Sequence, residues 1–145
     1  MKTMMRSIRL ASLAAITGAL LFGAACSNHH HADGVILSGA QEAPPNDSRA
    51  TGNSMIKIGS DKSVYGEVRF SGMVASVAHI HQAPAGVAGP VIVPLIRISD
   101  TAFAVPPGIT LNDAQYAAYL AGKLYVNLHS TAFPNGEIRA QLHPR

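Results

Sequence analysis

From Val35 onward apolar and polar residues alternate with a period of two, in short runs punctuated by Gly, Pro, Asn and Asp. That period sends successive side chains to opposite sides of an extended backbone and so predicts strands. The runs fall at 35–37, 55–58, 64–70, 76–82, 91–99, 124–130 and 137–143. Within 64–70, Val64, Gly66, Val68 and Phe70 share one side while Tyr65, Glu67 and Arg69 share the other, which predicts a sheet solvated on one face. Gly59-Ser60-Asp61-Lys62 and Pro134-Asn135-Gly136 read as hairpin turns. One segment, 110–122, has a different rhythm: Leu111, Ala114, Ala118 and Leu120 recur at helical spacing, with Thr110 as N-cap, Asp113 three places on and Gly122 as the stop. It predicts one short helix near 111–121. Seven short strands and one helix in about 110 residues make an all-β domain over 35–145, an antiparallel Greek-key sandwich or barrel. Its expected core is Ile36, Ile56, Ile58, Val64, Val68, Phe70, Ile80, Ile92, Ile96, Ile98, Leu124, Val126, Leu128, Ile138 and Leu142.

The first 34 residues follow another pattern. Lys2, Arg6 and Arg9 precede an uncharged apolar run that ends at Ala25, shorter than the ~20 residues a membrane span needs, and this predicts a secretory signal over 1–25. Gly23-Ala24-Ala25 before Cys26 resembles the processing box of bacterial lipoproteins, although Gly23 stands where a branched aliphatic is usual. That resemblance implies a lipid on Cys26, an exported protein anchored to a membrane, and, with Ser27 following, the outer membrane or periplasmic face of a Gram-negative cell. An ordinary signal peptide that leaves a free thiol is the alternative. Residues 26–34 then form a polar tether carrying His29, His30 and His31, either an auxiliary metal-catching arm or a solvated spacer.

Composition sharpens this picture. With 48% hydrophobic and 13% charged residues in 145, the chain is too apolar to be disordered and too short for two large domains. The net charge of +3 vanishes if the leader is removed, because three of the eleven basic residues leave with it and none of the eight acids does. No basic stripe remains for phosphates, so nucleic acid is excluded as a partner. Cys26, the single cysteine, cannot staple the fold.

Candidate chemistry lies in the histidines. His79 and His81 flank Ile80 on one strand, so both point away from the side that Ile80 takes. The same parity puts Tyr125, Asn127 and His129 opposite Leu124, Val126 and Leu128, and Arg139, Gln141 and His143 opposite Ile138, Ala140 and Leu142. Every histidine of the domain is therefore expected on an outward face. Two imidazoles at that spacing can straddle one ion and a third from another strand can complete the set, which makes His79, His81 and His129 the candidate metal ligands, with His143 a possible auxiliary. Imidazoles without thiolates suit copper, with zinc as the alternative. Parity leaves open whether His129 lies near the pair. Other residues have blander readings: Glu42 with Pro44-Pro45 is an edge cap or a binding lip, Glu137 and Arg139 an exposed pair, and Tyr125 a cross-strand contact or a flank to the metal. No nucleophile elbow, phosphate loop or close carboxylate pair points to catalysis.

Four segments in order resemble the CHRD domain, the module named for its repeats in chordin: Leu37-Ser38-Gly39-Ala40-Gln41-Glu42-Ala43-Pro44-Pro45; Ala78-His79-Ile80-His81-Gln82-Ala83-Pro84 with Gly89-Pro90-Val91-Ile92-Val93 and Leu95; 120–130; and Pro134-Asn135-Gly136-Glu137-Ile138-Arg139-Ala140-Gln141-Leu142. The resemblance covers essentially 35–142, with Ala140 standing where a glycine is commoner. It implies an all-β domain and no assigned reaction. The order of the three histidines is more distantly similar to the copper ligands of copper, zinc superoxide dismutases, which implies a superoxide dismutase-like variant of the fold, an immunoglobulin-like one being the alternative. The chain lacks the second cysteine and the zinc loop of that family, so the likeness extends to the ligand order and not to the activity. The reading at this point is an exported copper-binding protein serving capture, buffering or electron exchange. A metal-free module that contacts a cell-envelope protein is the second, and a copper enzyme acting on superoxide the third.

Overall fold

Alternation in the sequence becomes eleven strands among the residues that the computed structural model describes, 34–144. The expected leader, Cys26 and the His29–His31 run lie outside them. In chain order the strands are β1 (Val35–Ser38), β2 (Thr51–Ser54), β3 (Lys57–Ile58), β4 (Val64–Tyr65), β5 (Glu67–Ser71), β6 (Ala75–Gln82), β7 (Val91–Pro94), β8 (Ile96–Ser99), β9 (Ala102–Ala104), β10 (Leu124–Ser130) and β11 (Ile138–Leu142). The helix α1 (Asp113–Leu120) precedes β10. Nine strands form one antiparallel sheet in the order β7-β6-β10-β11-β1-β2-β5-β9-β8, and β3 pairs with β4 in a small hairpin. The domain is all-β with one helix, as the patterning predicts.

Edge strands β7 and β8 stand at opposite ends of that order, yet only Leu95 separates them in the chain. The sheet must therefore roll until its edges meet. The Leu95 amide donates to the Ala78 carbonyl at 2.9 Å, and the Arg97 guanidinium donates to the Ala75 carbonyl, so the start of β8 lies against β6. Rolling leaves a nearly closed antiparallel barrel, and closure blunts the exposed edges of an open sheet.

Inside it pack Leu37, Val68, Phe70, Ile80, Val93, Phe103, Leu124, Val126, Leu128, Ile138 and Leu142. Three of the expected core residues are outside. Ile36 is 61% exposed while Leu37 is fully buried, and Ile96 and Ile98 are about half exposed while Val93 and Leu95 are buried. The predicted strand 91–99 is broken at Leu95, and the odd-numbered Val93 and Leu95 take the inner side in place of the expected Ile96 and Ile98, β8 being exposed throughout. The predicted strand 64–70 is likewise interrupted at Gly66, whose φ of +111° and close approach to the Met55 carbonyl admit no side chain.

The helix also begins later than predicted. Asn112, not Thr110, is its cap: Asn112 accepts from the Gln115 amide at 2.8 Å, and Gln115 accepts from the Asn112 amide at 3.0 Å. Gly122 ends it at φ +68° as expected.

One-sided solvation holds at Tyr65 and Arg69, which are exposed, but fails across β6, β10 and β11. There most of the face opposite the core is covered as well: His81 on β6 and Arg139 on β11 are buried, His79 is half-buried, only Val77 of β6 stays exposed on that side, and every residue of β10 is buried. The segments 83–90, 39–48 and 131–137 cover it, tied down by Arg139 to the Val87 carbonyl, Gln141 to the Ala83 carbonyl and Asn46 to the Glu137 carbonyl. The exposed Glu137–Arg139 pair expected from parity is corrected accordingly. Both residues are buried, Glu137 accepting from Ser48 and Arg139 donating to carbonyls, because the covering loops supply polar partners where water was expected.

Candidate metal centre

Register sets the site. Across β6, β10 and β11, His79 lies opposite Asn127 and Asn127 opposite Arg139; in the next row His81 lies opposite Tyr125 and Tyr125 opposite Gln141. His129 is two residues beyond Asn127 on the same face, diagonal to His79, within reach of an imidazole. The three rings converge: their candidate ligand atoms all lie within 4.8 Å of one another, and the ring centroids of His79 and His129 are 5.0 Å apart. Ligand bonds of about 2 Å set nitrogen to nitrogen separations of about 3.4 Å in a tetrahedral shell, so small side-chain rotations close the set on one ion.

Each ring is oriented by its surroundings. His81 Nδ1 is 2.9 Å from the Gly89 carbonyl and His129 Nδ1 is 3.0 Å from the Pro134 carbonyl. A carbonyl only accepts, so both Nδ1 atoms carry the proton and both Nε2 atoms keep the lone pair. Such a contact from the remote nitrogen to a carbonyl is the usual support of a metal-bound histidine. His129 Nε2 accepts from His79 Nδ1 at 3.2 Å, whereas His81 Nε2 is buried with no partner in the protein. A buried lone pair without a donor is costly, and a metal ion would satisfy it.

Burial holds all three imidazoles below their ordinary value of 6.5, aided at His79 by the neighbouring rings and opposed at His129 by the Pro134 carbonyl and at His81 by the Gly89 carbonyl. They are neutral at physiological pH, the state in which imidazole binds metals. His81 and His129 are buried and His79 half-buried, which leaves His79 as the solvent-facing member. The outward position expected for His81 and His129 is corrected to a covered one, since loops rather than water lie over them, while His79 keeps part of its outward exposure.

His143, the proposed auxiliary, is exposed beside Gly122 and does not join the group of three. Tyr125 stacks on His81 with centroids 4.8 Å apart and planes 11° from parallel, and the Arg139 guanidinium lies 3.4 Å from the Tyr125 centroid. Glu42 is buried rather than a surface lip, on the wall of a cleft of about 320 Å³. Sequence reasoning missed the carbonyls of Gly89 and Pro134 and the role of Arg139. The Gly and Pro of those turns are the only signal that backbone comes close there.

A model of the CHRD domain family matches residues 34–142. Searches of the curated proteins and of the solved structures returned no match.

Proposed function

The chain belongs to the CHRD domain family, and on that premise we propose that it binds copper through His79, His81 and His129, capturing or buffering the ion outside the cytoplasm. The observation that carries this reading is the convergence of three neutral imidazoles around a buried, unpartnered His81 Nε2. Two of the rings are already locked in the tautomer that offers Nε2. An all-nitrogen donor set without thiolate favours copper over the other first-row divalent ions, with zinc next. The leader-like 1–25 and the lipobox-like Cys26 support export and a membrane anchor, and the His29–His31 run supports a second, weaker catch for the same ion. The alternative role as an interaction module draws on the exposed Val74, Val77 and Val91.

Copper(II) titrated into the purified chain with His29, His30 and His31 replaced by alanine tests the centre. One ion per chain is expected, with affinity reduced about 100-fold or more in each of His79→Ala, His81→Ala and His129→Ala. Absence of stoichiometric binding, or binding indifferent to the three substitutions, rejects the copper reading and leaves the interaction module.

A further inference from the structure

Arg139 is an unusual residue to find at 1% exposure on an outer sheet face, and among the described residues it forms no ion pair within 4 Å. Its contacts go to the segment 83–90, which leaves β6 just after His81 and leads into β7. Nη1 donates to the Val87 carbonyl, and Nη2 donates to the Pro84 carbonyl and to Gln141 Oε1, all at 2.9 Å. Gln141 in turn donates to the Ala83 carbonyl. The base of the segment is closed by the Gln82 amide on the Pro90 carbonyl at 3.0 Å.

The same segment presents the Gly89 peptide, which grips two side chains of the site. Its N–H donates to Tyr125 Oη at 3.0 Å, and its carbonyl accepts from His81 Nδ1. Gly89 is packed so closely that a Cβ there would lie 2.1 Å from the Gln82 carbonyl oxygen, so the peptide has little freedom of its own. Strand order puts Tyr125 between His81 and Arg139, and its ring stacks on the first while the guanidinium of the second lies over it. Arg139 thus reaches His81 by two routes, through the strap and through the Tyr125 ring.

We propose that Arg139 is a positioning residue for the centre: by pinning the 83–90 strap and the Tyr125 ring it keeps the Gly89 carbonyl on His81 Nδ1, and so presents the His81 Nε2 lone pair toward His79 and His129. The proposal rests on the copper reading for its purpose, but the tautomer it fixes exists without any ion. A planar fork with several donors meets two carbonyls and an amide oxygen at once while lying flat on a ring. Lysine keeps the charge and loses that geometry.

The test uses the full chain carrying the His29–His31 alanine replacements, with nitrogen-15 in the histidine rings, as wild type, Arg139→Lys and Arg139→Gln. In metal-free wild type the His81 ring is expected as a single Nδ1-protonated tautomer. In both variants it is expected as a mixture, with His129 unchanged because Pro134 holds it independently. Copper(II) affinity is expected to fall about 10- to 100-fold with stoichiometry unchanged, the range typical of residues that orient metal ligands. Folded variants that keep the His81 tautomer and full affinity overturn the proposal. So does failure of both variants to fold, which would make Arg139 a residue of the fold alone. A tautomer shift in chains that bind no copper even as wild type would instead sink the copper reading and leave the positioning role standing.

Discussion

Glu42 and the three histidines give the domain two opposed acid-base sensitivities. Burial raises the Glu42 carboxyl from 4.5 to about 7 against the pull of Arg139, and its Oε1 has no hydrogen-bond partner. A carboxyl raised on folding contributes stability that is complete below 4.5 and is lost as pH rises through about 7. Glu42→Gln is therefore expected to remove this alkaline-side loss, on the order of 2 kcal/mol, when denaturant unfolding of the metal-free protein is compared across that window. The imidazoles run the other way. Their folded values are depressed below 6.5, so their contribution is present above that value and lost as pH falls through the lower folded ones. Copper, competing with protons only below those lowered values, is expected to be retained at pH 6.5 and released on further acidification, followed by equilibrium dialysis; half-release at or above 6.5 would contradict the burial argument. Parity made the shared side of His79, His81 and His129 legible in the sequence. It could not reveal that loops cover that side, because the partners of Arg139, His81 and His129 are backbone carbonyls in turns, which every residue type supplies alike, so the Gly and Pro of those turns hint at a close backbone without saying what it meets.

At the level of elements, strands with alternating apolar residues were legible and those without were not. β2 reads Thr-Gly-Asn-Ser and β9 only Ala-Phe-Ala, and both exist because neighbours on either side offer them hydrogen bonds. The missed phase at Ile36 and across Leu95 has the same origin, since apolar residues on both faces of a run let either side serve as the inner one. The helix cap gives a direct check. Asn112→Ala removes the side-chain half of a reciprocal cap, the acceptor for the Gln115 amide, and should cost about 1 kcal/mol in thermal unfolding, whereas Thr110→Ala, whose side chain caps nothing in α1, should cost little. Strand β10 is buried along its whole length and paired on both sides, while β8 is exposed throughout. Amides of β10 are expected to exchange hydrogen only through global opening, and those of β8 by local opening. His129 therefore belongs to a strand buried along its whole length and paired on both sides, which suits a ligand that must be in place before the ion arrives.

For the molecule as a whole, the rolled sheet couples the two halves of the sequence, and β1 lies between β2 and β11. The pairing of Ser38 with Arg139 fixes an antiparallel register in which the beginning of the first strand is level with the finish of the last. The polypeptide thus enters and leaves the barrel at one place. A few added residues, spanning about 3.3 Å each, could join Pro144 to Gly34 and turn the barrel domain taken by itself, 34–144, into a ring. Opening that ring at the Gly59 to Lys62 turn, outside the segments that carry the three histidines, should give a permuted protein that folds and loads metal like the parent, with its new ends at the β3–β4 hairpin and none at the old seam.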